Sequence, residues 1–202
     1  MEVVANRPYC QVRKRGMNKE SEELFREVQR FRQPWLWLLL LLGVLLPIDL
    51  YGYGIIKQLA SDQLFGAHPM SDAGLLASGI PIILLGIGLV ALFYWMNLTV
   101  IVYPDHLYIR FSPLHLKPVL LPWSEIASCK ARTYHPILEY GGWGIRYGPG
   151  RKAYNVSGKQ GVELQLANGR RLMIGSQRPD ALAQAIQSAM GQQGPTQEAS
   201  LL

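Results

Sequence analysis

The stretch Leu75–Leu98, LLASGIPIILLGIGLVALFYWMNL, runs for 24 residues without one charged side chain. A helix that crosses a bilayer core needs about 20 mostly apolar residues. A helix packed on a soluble core would show a polar stripe every few residues, and this stretch shows none. It closes on Phe93-Tyr94-Trp95, aromatics of the kind that gather at headgroup level. The pattern predicts a transmembrane helix over residues 75–97, and the rest of the chain reads outward from it.

A second apolar run lies just upstream. It opens on Pro34-Trp35-Leu36-Trp37 and is continuous from Trp35 to Leu46, with Pro47 and Asp49 interrupting it afterwards. Carried on to Ile56 it makes a helix roughly 33 Å long at about 1.5 Å per residue, enough to span. Residues 34–98 therefore read as a transmembrane hairpin, with spans over 35–56 and 75–97. Asp49 is then a candidate functional acid, because a charge in hydrocarbon is costly and is kept for a reason. Against that, Pro47, Tyr51 and Tyr53 place the same residue at the outer headgroup level. Gly79, Gly86, Gly88 and Ser78 in the second span would let the two helices approach closely.

Charge sets the orientation. The link 57–74 carries one Lys against Asp62 and Asp72, whereas residues 1–34 carry eight Lys/Arg and residues 99–202 eleven. By the positive-inside rule the link lies outside and both termini are cytoplasmic, in a multi-pass protein of the cell membrane. No cleavable signal peptide is expected, since the first apolar run starts late and lacks a small-residue cleavage site.

Residues 1–19 read as a disordered basic tail. Residues 20–33, ESEELFREVQRFRQ, read as an amphipathic juxtamembrane helix. Ser21 is its N-cap, Leu24, Phe25, Val28 and Phe31 share one face, and the arginines lie on the other.

Downstream of Leu98 the apolar period becomes two. Strands are expected over 98–103, 106–111, 116–121, 126–134, 143–147, 153–157, 161–167 and 170–175. Pro104-Asp105 and Asn168-Gly169 are the clearest turns. A helix starting at Pro179-Asp180 would bury Leu182, Ala185, Ile186 and Ala189. Residues 191–202 read as a disordered tail. The fold class is α+β: a transmembrane hairpin followed by an antiparallel β-sandwich or barrel over residues 99–190, closed by a C-terminal helix.

That order of strands and closing helix resembles a pleckstrin-homology-like (PH-like) domain. The stretches FREVQRFRQPWLWLLL, EYGGWGIRYG, AYNVSG and RLMIGSQRP are also similar to an uncharacterised family of small prokaryotic membrane proteins. The resemblance runs from about residue 20 to residue 190. It implies a transmembrane hairpin before a PH-like domain and no known activity. PH domains that bind phosphoinositides use a basic loop between their first two strands. Here the turn in that place is read as Pro104-Asp105-His106, so no specific phosphoinositide ligand is expected.

The most unusual part of this half is Glu139–Gly158, EYGGWGIRYGPGRKAYNVSG. Its candidate binding residues are Tyr140, Trp143, Arg146, Tyr147, Arg151 and Lys152, of types that dominate interface hot spots. The alternative is that the glycines supply turns while Trp143 and Tyr147 fill the core. Catalytic patterns are missing: no phosphate loop, no GxSxG elbow, no paired carboxylates on one strand face. His68, His106, His115 and His135 have no metal-ligand spacing, and Cys10 and Cys129 form neither a disulfide framework nor a metal array. No cofactor, metal or nucleic-acid partner is expected.

The leading expectation is a non-enzymatic module, integral to the lipid bilayer, that binds a protein partner or the membrane surface. Two alternatives stand beside it. One is a membrane-embedded or lipid-modifying enzyme using Asp49 or the 139–152 surface. The other is a small membrane sensor or assembly factor reading the 57–74 link.

Overall fold

In the computed structural model, the structure describes residues 23–61 and 71–192. The tail expected over 1–19, the chain beyond 192 and the middle of the 57–74 link lie outside those residues, as do Cys10 and His68.

Among the described residues, nine strands form two sheets. The first is an antiparallel meander of β1 (Phe25–Arg30), β2 (Asn97–Val102), β3 (His106–Ser112) and β4 (Val119–Pro122). The second holds β5 (Ile126–Thr133), β6 (Gly144–Gly148), β7 (Arg151–Asn155), β8 (Gln160–Leu166) and β9 (Arg171–Gly175), in the spatial order β5-β8-β9-β7-β6. Alternate residues of both sheets supply one core, with Leu98, Val100, Leu107, Ile109 and Phe111 from the first sheet. Tyr154, Val162, Leu164 and Ile174 come from the second. The strand period of two explains that selection. A helix over Pro179–Gly191 lays Leu182, Ala183, Ile186 and Ala189 on the same core. Ala183 therefore takes the buried place that spacing gave to Ala185, which packs only partly against the core.

The two apolar runs are helices α1 (Pro34–Ser61) and α2 (Asp72–Trp95), both long and apolar enough to cross a membrane. A core helix of a water-soluble protein would be covered. Here only 6% and 11% of their most apolar windows are buried, so Leu38, Leu46, Leu84 and Leu85 lie bare along the pair. Two of the small residues act as expected. A Cβ on Gly79 would stand 2.8 Å from the Tyr51 ring, and one on Gly86 would stand 3.0 Å from Val44. Gly88 faces open space, and Ser78 bonds back to the carbonyls of Gly74 and Leu75 within its own helix.

Three expectations are corrected. The first is the juxtamembrane helix over 20–33: its described part is strand β1, paired antiparallel with β2 from Phe25↔Val102 to Arg30↔Asn97. The apolar residues that suggested a helix do not share a face. Glu27, Gln29 and Phe31 point inward, while Val28 is 47% exposed. The β domain thus begins before the hairpin instead of at residue 99, and α1 and α2 are an insertion between its first two strands. Pro104-Asp105 turns between the second and third strands.

The second correction concerns the sheets, which are separate and do not close into a barrel; β7 and β9 pair in parallel. After β7 the chain passes over one strand position to form β8. The Asn168-Gly169 turn, with Gly169 at φ 78°, then returns β9 into the gap. The third is a short helix, α3 (Pro136–Tyr140), where a strand-to-strand link was expected; Gly141 ends it at φ 73°.

Candidate functional site

The six residues singled out in 139–158 do not converge. The β6–β7 hairpin sets Arg146 opposite Ala153, Tyr147 opposite Lys152 and Gly148 opposite Arg151. Paired residues share a face, so Arg146 and Arg151 fall on one side of the sheet and Tyr147 and Lys152 on the other.

The first group lies on the outer face of the second sheet. Lys130, Glu163, Met173, Ala153 and Arg146 form one row across it in strand register. Lys130, Arg132, Arg151 and Arg171 line a depression of about 340 Å³ there, together with Glu139, Glu163 and Tyr140. Arg132 sits between the two carboxylates, with Nη2 2.7 Å from Glu139 and Nε 2.7 Å from Glu163. The carboxylate of Glu139 also accepts from the backbone N–H of His135 at 2.7 Å. That bond, then the Arg132 contact, holds its pKa below the usual glutamate value. The Arg151 guanidinium lies 5.6 Å from the Tyr140 ring centre, and Tyr140 meets the buried Tyr134 edge-on at 5.8 Å. Arg171 Nη1 also stands 4.0 Å from Glu163, and the four cations outnumber the two acids, so this face stays positive.

The second group sits on the opposite side, towards the exposed edge strand β6. Lys152 Nζ lies 4.7 Å from the Tyr147 ring centre and 4.6 Å from that of Tyr154. Tyr147 is 75% exposed, so it does not fill the core. His115 meets Tyr154 edge-on at 5.3 Å, and burial followed by the nearby Lys152 charge lowers its pKa.

Trp143 belongs to neither group. It packs at the root of the helical hairpin, with its ring 6.0 Å from that of Trp35 and its Nε1 donating to Gly158 O at 3.3 Å. The partly buried Trp143 ring touches the main core. Arg146 Nε donates to Trp143 O at 2.9 Å. Phe31, Gln33, Trp35, Leu36 and Phe93 join Gly142, Trp143 and Arg146 around a crevice of about 180 Å³. Three contacts fix the root: Gln33 Nε2 donates to Val156 O at 2.7 Å, Trp37 Nε1 donates to Phe31 O at 2.9 Å, and Phe31 meets Phe93 edge-on at 5.3 Å.

Sequence reading missed Lys130, Arg132, Glu163 and Arg171 on the basic face, and Phe31, Gln33 and Trp35 at the root. The first set was within reach, because Lys130 and Arg132 share a strand face and the Asn-Gly turn fixes the register of Arg171. The second required knowing that residues 25–30 pair with β2. Asp49 is exposed on α1. Among the described residues no three His, Cys, Asp or Glu side chains are grouped to hold a metal ion.

The chain belongs to a family of unknown function, DUF6141, which matches residues 17–192. No curated protein matches it.

Proposed function

We propose that this is a two-span membrane protein whose β domain is a non-enzymatic docking module for a protein partner or the membrane surface, held at the cytoplasmic face. One observation carries the reading. The helical pair leaves and re-enters the β domain between neighbouring strands, at Arg30 and Asn97, which are partners in the sheet. A flexible tether would let the domain diffuse freely; two adjacent connections, clamped by Gln33 and Trp37, hold it in one pose at the surface.

The strand order supports the PH-like reading. An antiparallel meander of four strands is followed by β5, β8, β9 and a closing helix, with the β6–β7 hairpin as an added edge. The loop that phosphoinositide-binding PH domains use joins their first two strands, and in this chain the helical hairpin occupies that connection. Specific phosphoinositide recognition by that route is therefore not part of the reading. The Lys/Arg-poor link supports an orientation with both termini in the cytoplasm, and the prokaryotic setting is what the family resemblance implies.

The docking surface is the exposed β6 edge with Tyr147, beside the positive face of Lys130, Arg151 and Arg171. Site-specific photo-cross-linking at Tyr147 and Arg151 in living cells tests it. One dominant protein adduct is the expected outcome, with the adduct through position 147 lost when Lys130, Arg151 and Arg171 are changed to glutamine. Cross-links to lipid alone would leave the membrane-surface form of the reading, and no adduct at either position would overturn it. Reporter fusions that place the C-terminus outside the cell would overturn the orientation.

A further inference from the structure

We infer that two apolar tips seat the β domain on the bilayer: the β3–β4 loop at Leu114 and Leu116, and the short helix α3 at Ile137 and Leu138. Both enter the interfacial layer beside the hairpin root. The inference rests on the two-span reading above and names the surface by which the domain meets that membrane.

Strand register places the tips. Arg30, Asn97 and Ser112 stand in one row across the first sheet, and Asn97 follows the last residue of α2, Trp95, by two positions. The loop 113–118 therefore leaves the sheet about 5 Å, one strand spacing, from the chain that comes out of α2. The second sheet ends at the same level. Gly175 O accepts from Gln29, the neighbour of Arg30 on β1, and Gly175 pairs with Gly161. Just beyond, Tyr134 N donates to Lys159 O. At the β6 edge Gly144 pairs with Asn155, and Trp143 packs on Trp35. The helix α3 lies in the link between Tyr134 and Trp143, so it too sits at the hairpin end.

These tips are bare. Leu116 is 92% exposed and Leu138 84%, more than any other large apolar side chain among the described residues, those along α1 and α2 included. Leu114 and Ile137 are exposed beside them. Single exposed leucines are ordinary on a water-facing surface. Four of these side chains, on two connections that flank a membrane-spanning pair, are not scatter. The turns at the opposite end are built from Pro104-Asp105, Gly148-Pro149-Gly150 and Asn168-Gly169 instead.

Charge around the tips fits an anionic leaflet. Arg32 is exposed near Trp35, Lys117 follows Leu116, and the exposed Lys159 stands beside α3. The acid on α3, Glu139, is already bonded to Arg132. Apolar side chains that penetrate, with basic ones held at phosphate level, make an interfacial anchor. The bilayer that receives the exposed Tyr94 and Trp95 lies level with the loop, so lipid covers the tips without a further partner. Seated this way, the domain keeps the β6–β7 turn and Tyr147 towards its far end, open to a protein partner.

Nitroxide quenching in the full chain tests the seat. With Cys10 and Cys129 changed to alanine, an environment-sensitive fluorophore is attached through one of Leu116→Cys, Leu138→Cys, Lys159→Cys, Leu84→Cys or Asn168→Cys. Each chain is reconstituted in vesicles of equimolar phosphatidylcholine and phosphatidylglycerol, with and without lipids that carry a nitroxide on the acyl chain. Labels at 116, 138 and 159 should be quenched by nitroxides near the glycerol end, and the label at 168 should not. Leu116→Asp with Leu138→Asp changes only exposed positions and should leave the thermal melt in place. It should lower quenching of the 159 label to that of the 168 label. Unquenched tips in a preparation whose Leu84→Cys label is quenched by deep nitroxides would overturn the seat and give the tips to a protein interface. Quenching at 159 that survives the double aspartate variant would overturn it as well. An unquenched Leu84→Cys label would instead overturn the two-span reading itself.

Discussion

Glu27 Oε2 accepts a hydrogen bond of 2.6 Å from Ser176 Oγ, across 149 positions of sequence. The other carboxylate oxygen accepts from the backbone N–H of Gln177 at 2.8 Å, and Ser176 Oγ accepts in turn from the Arg178 N–H at 3.0 Å. Two positions along β1, the buried Gln29 donates to Gly175 O at 2.6 Å. The first strand of the β domain is thus bonded to the junction between β9 and the closing helix, so the chain before the hairpin and the chain far beyond it form one polar seam.

Removing the seam's acceptor should cost more than removing its donor. Glu27→Ala leaves the Ser176 hydroxyl and the Gln177 N–H without their partner and should lower stability by about 2–3 kcal/mol. Glu27→Gln keeps the shape and should cost about 1 kcal/mol, as should Ser176→Ala. Urea unfolding of the detergent-purified variants, followed by tryptophan fluorescence, ranks them. A Glu27→Ala variant as stable as wild type would mean that the seam adds nothing.

A glycine in β8 is required for a different reason. A Cβ on Gly161 would run into the carbonyl of Ile174 on the neighbouring strand. The obstacle is backbone that cannot swing aside, so Gly161→Ala should destabilise by about 1–3 kcal/mol through overpacking. Gly43, in α1, has nothing within 4 Å of the same virtual atom, so Gly43→Ala should be neutral or better. Thermal melts of the two variants side by side would show whether space alone decides.

His115 makes stability depend on pH. Burial, then the charge of Lys152, keeps its folded-state pKa below the ordinary value of 6.5, so the fold prefers the neutral ring. The unfolded chain takes up a proton first as pH falls, which favours unfolding. Its contribution is therefore complete above the unfolded value and is lost as pH drops through 6.5 towards the lower folded pKa. Glu139, also held below its usual value, adds a second loss at more acid pH, below about 4.5. Denaturation midpoints from pH 8 to pH 5 should fall for wild type and stay flatter for His115→Phe. Parallel profiles for the two proteins would assign the loss to other groups.

The legibility of the sequence follows where apolar residues point. Uncharged runs and the Asn168-Gly169 turn announce α1, α2 and the β8–β9 pair, because each depends on chemistry local to itself. β1 hides for the opposite reason. Its inward residues include Glu27 and Gln29, and its outward Val28 is bare, so the alternation of burial is real but the alternation of polarity is reversed. Read by hydrophobicity, Leu24, Phe25, Val28 and Phe31 fit a helix better than a strand. The parallel β7–β9 pair is equally silent, since nothing near Ala153 signals its distant partner Met173. The candidate site was half visible. The residue types of 139–158 mark the stretch, yet their division between an outer face, an edge and the hairpin root follows from strand register.

If the helical pair is an insertion, it can be excised. Arg30 and Asn97 are cross-strand partners, so their backbones lie about 5 Å apart, and a turn of about four Gly/Ser/Asn residues can replace residues 33–95. The spliced chain keeps β1, the Glu27–Ser176 seam and the core, and sheds the apolar surface of both helices. It should be a folded, water-soluble monomer, with dispersed amide signals in an NMR spectrum. The fragment 97–192 offers the contrast. Without β1 it leaves β2 as a bare edge and strips the Gly175 carbonyl, Ser176 hydroxyl and Gln177 amide of their partners, so it should aggregate or stay unfolded. Equal folding of the two chains would show that β1 is an accessory strand, and the β domain would then begin at β2.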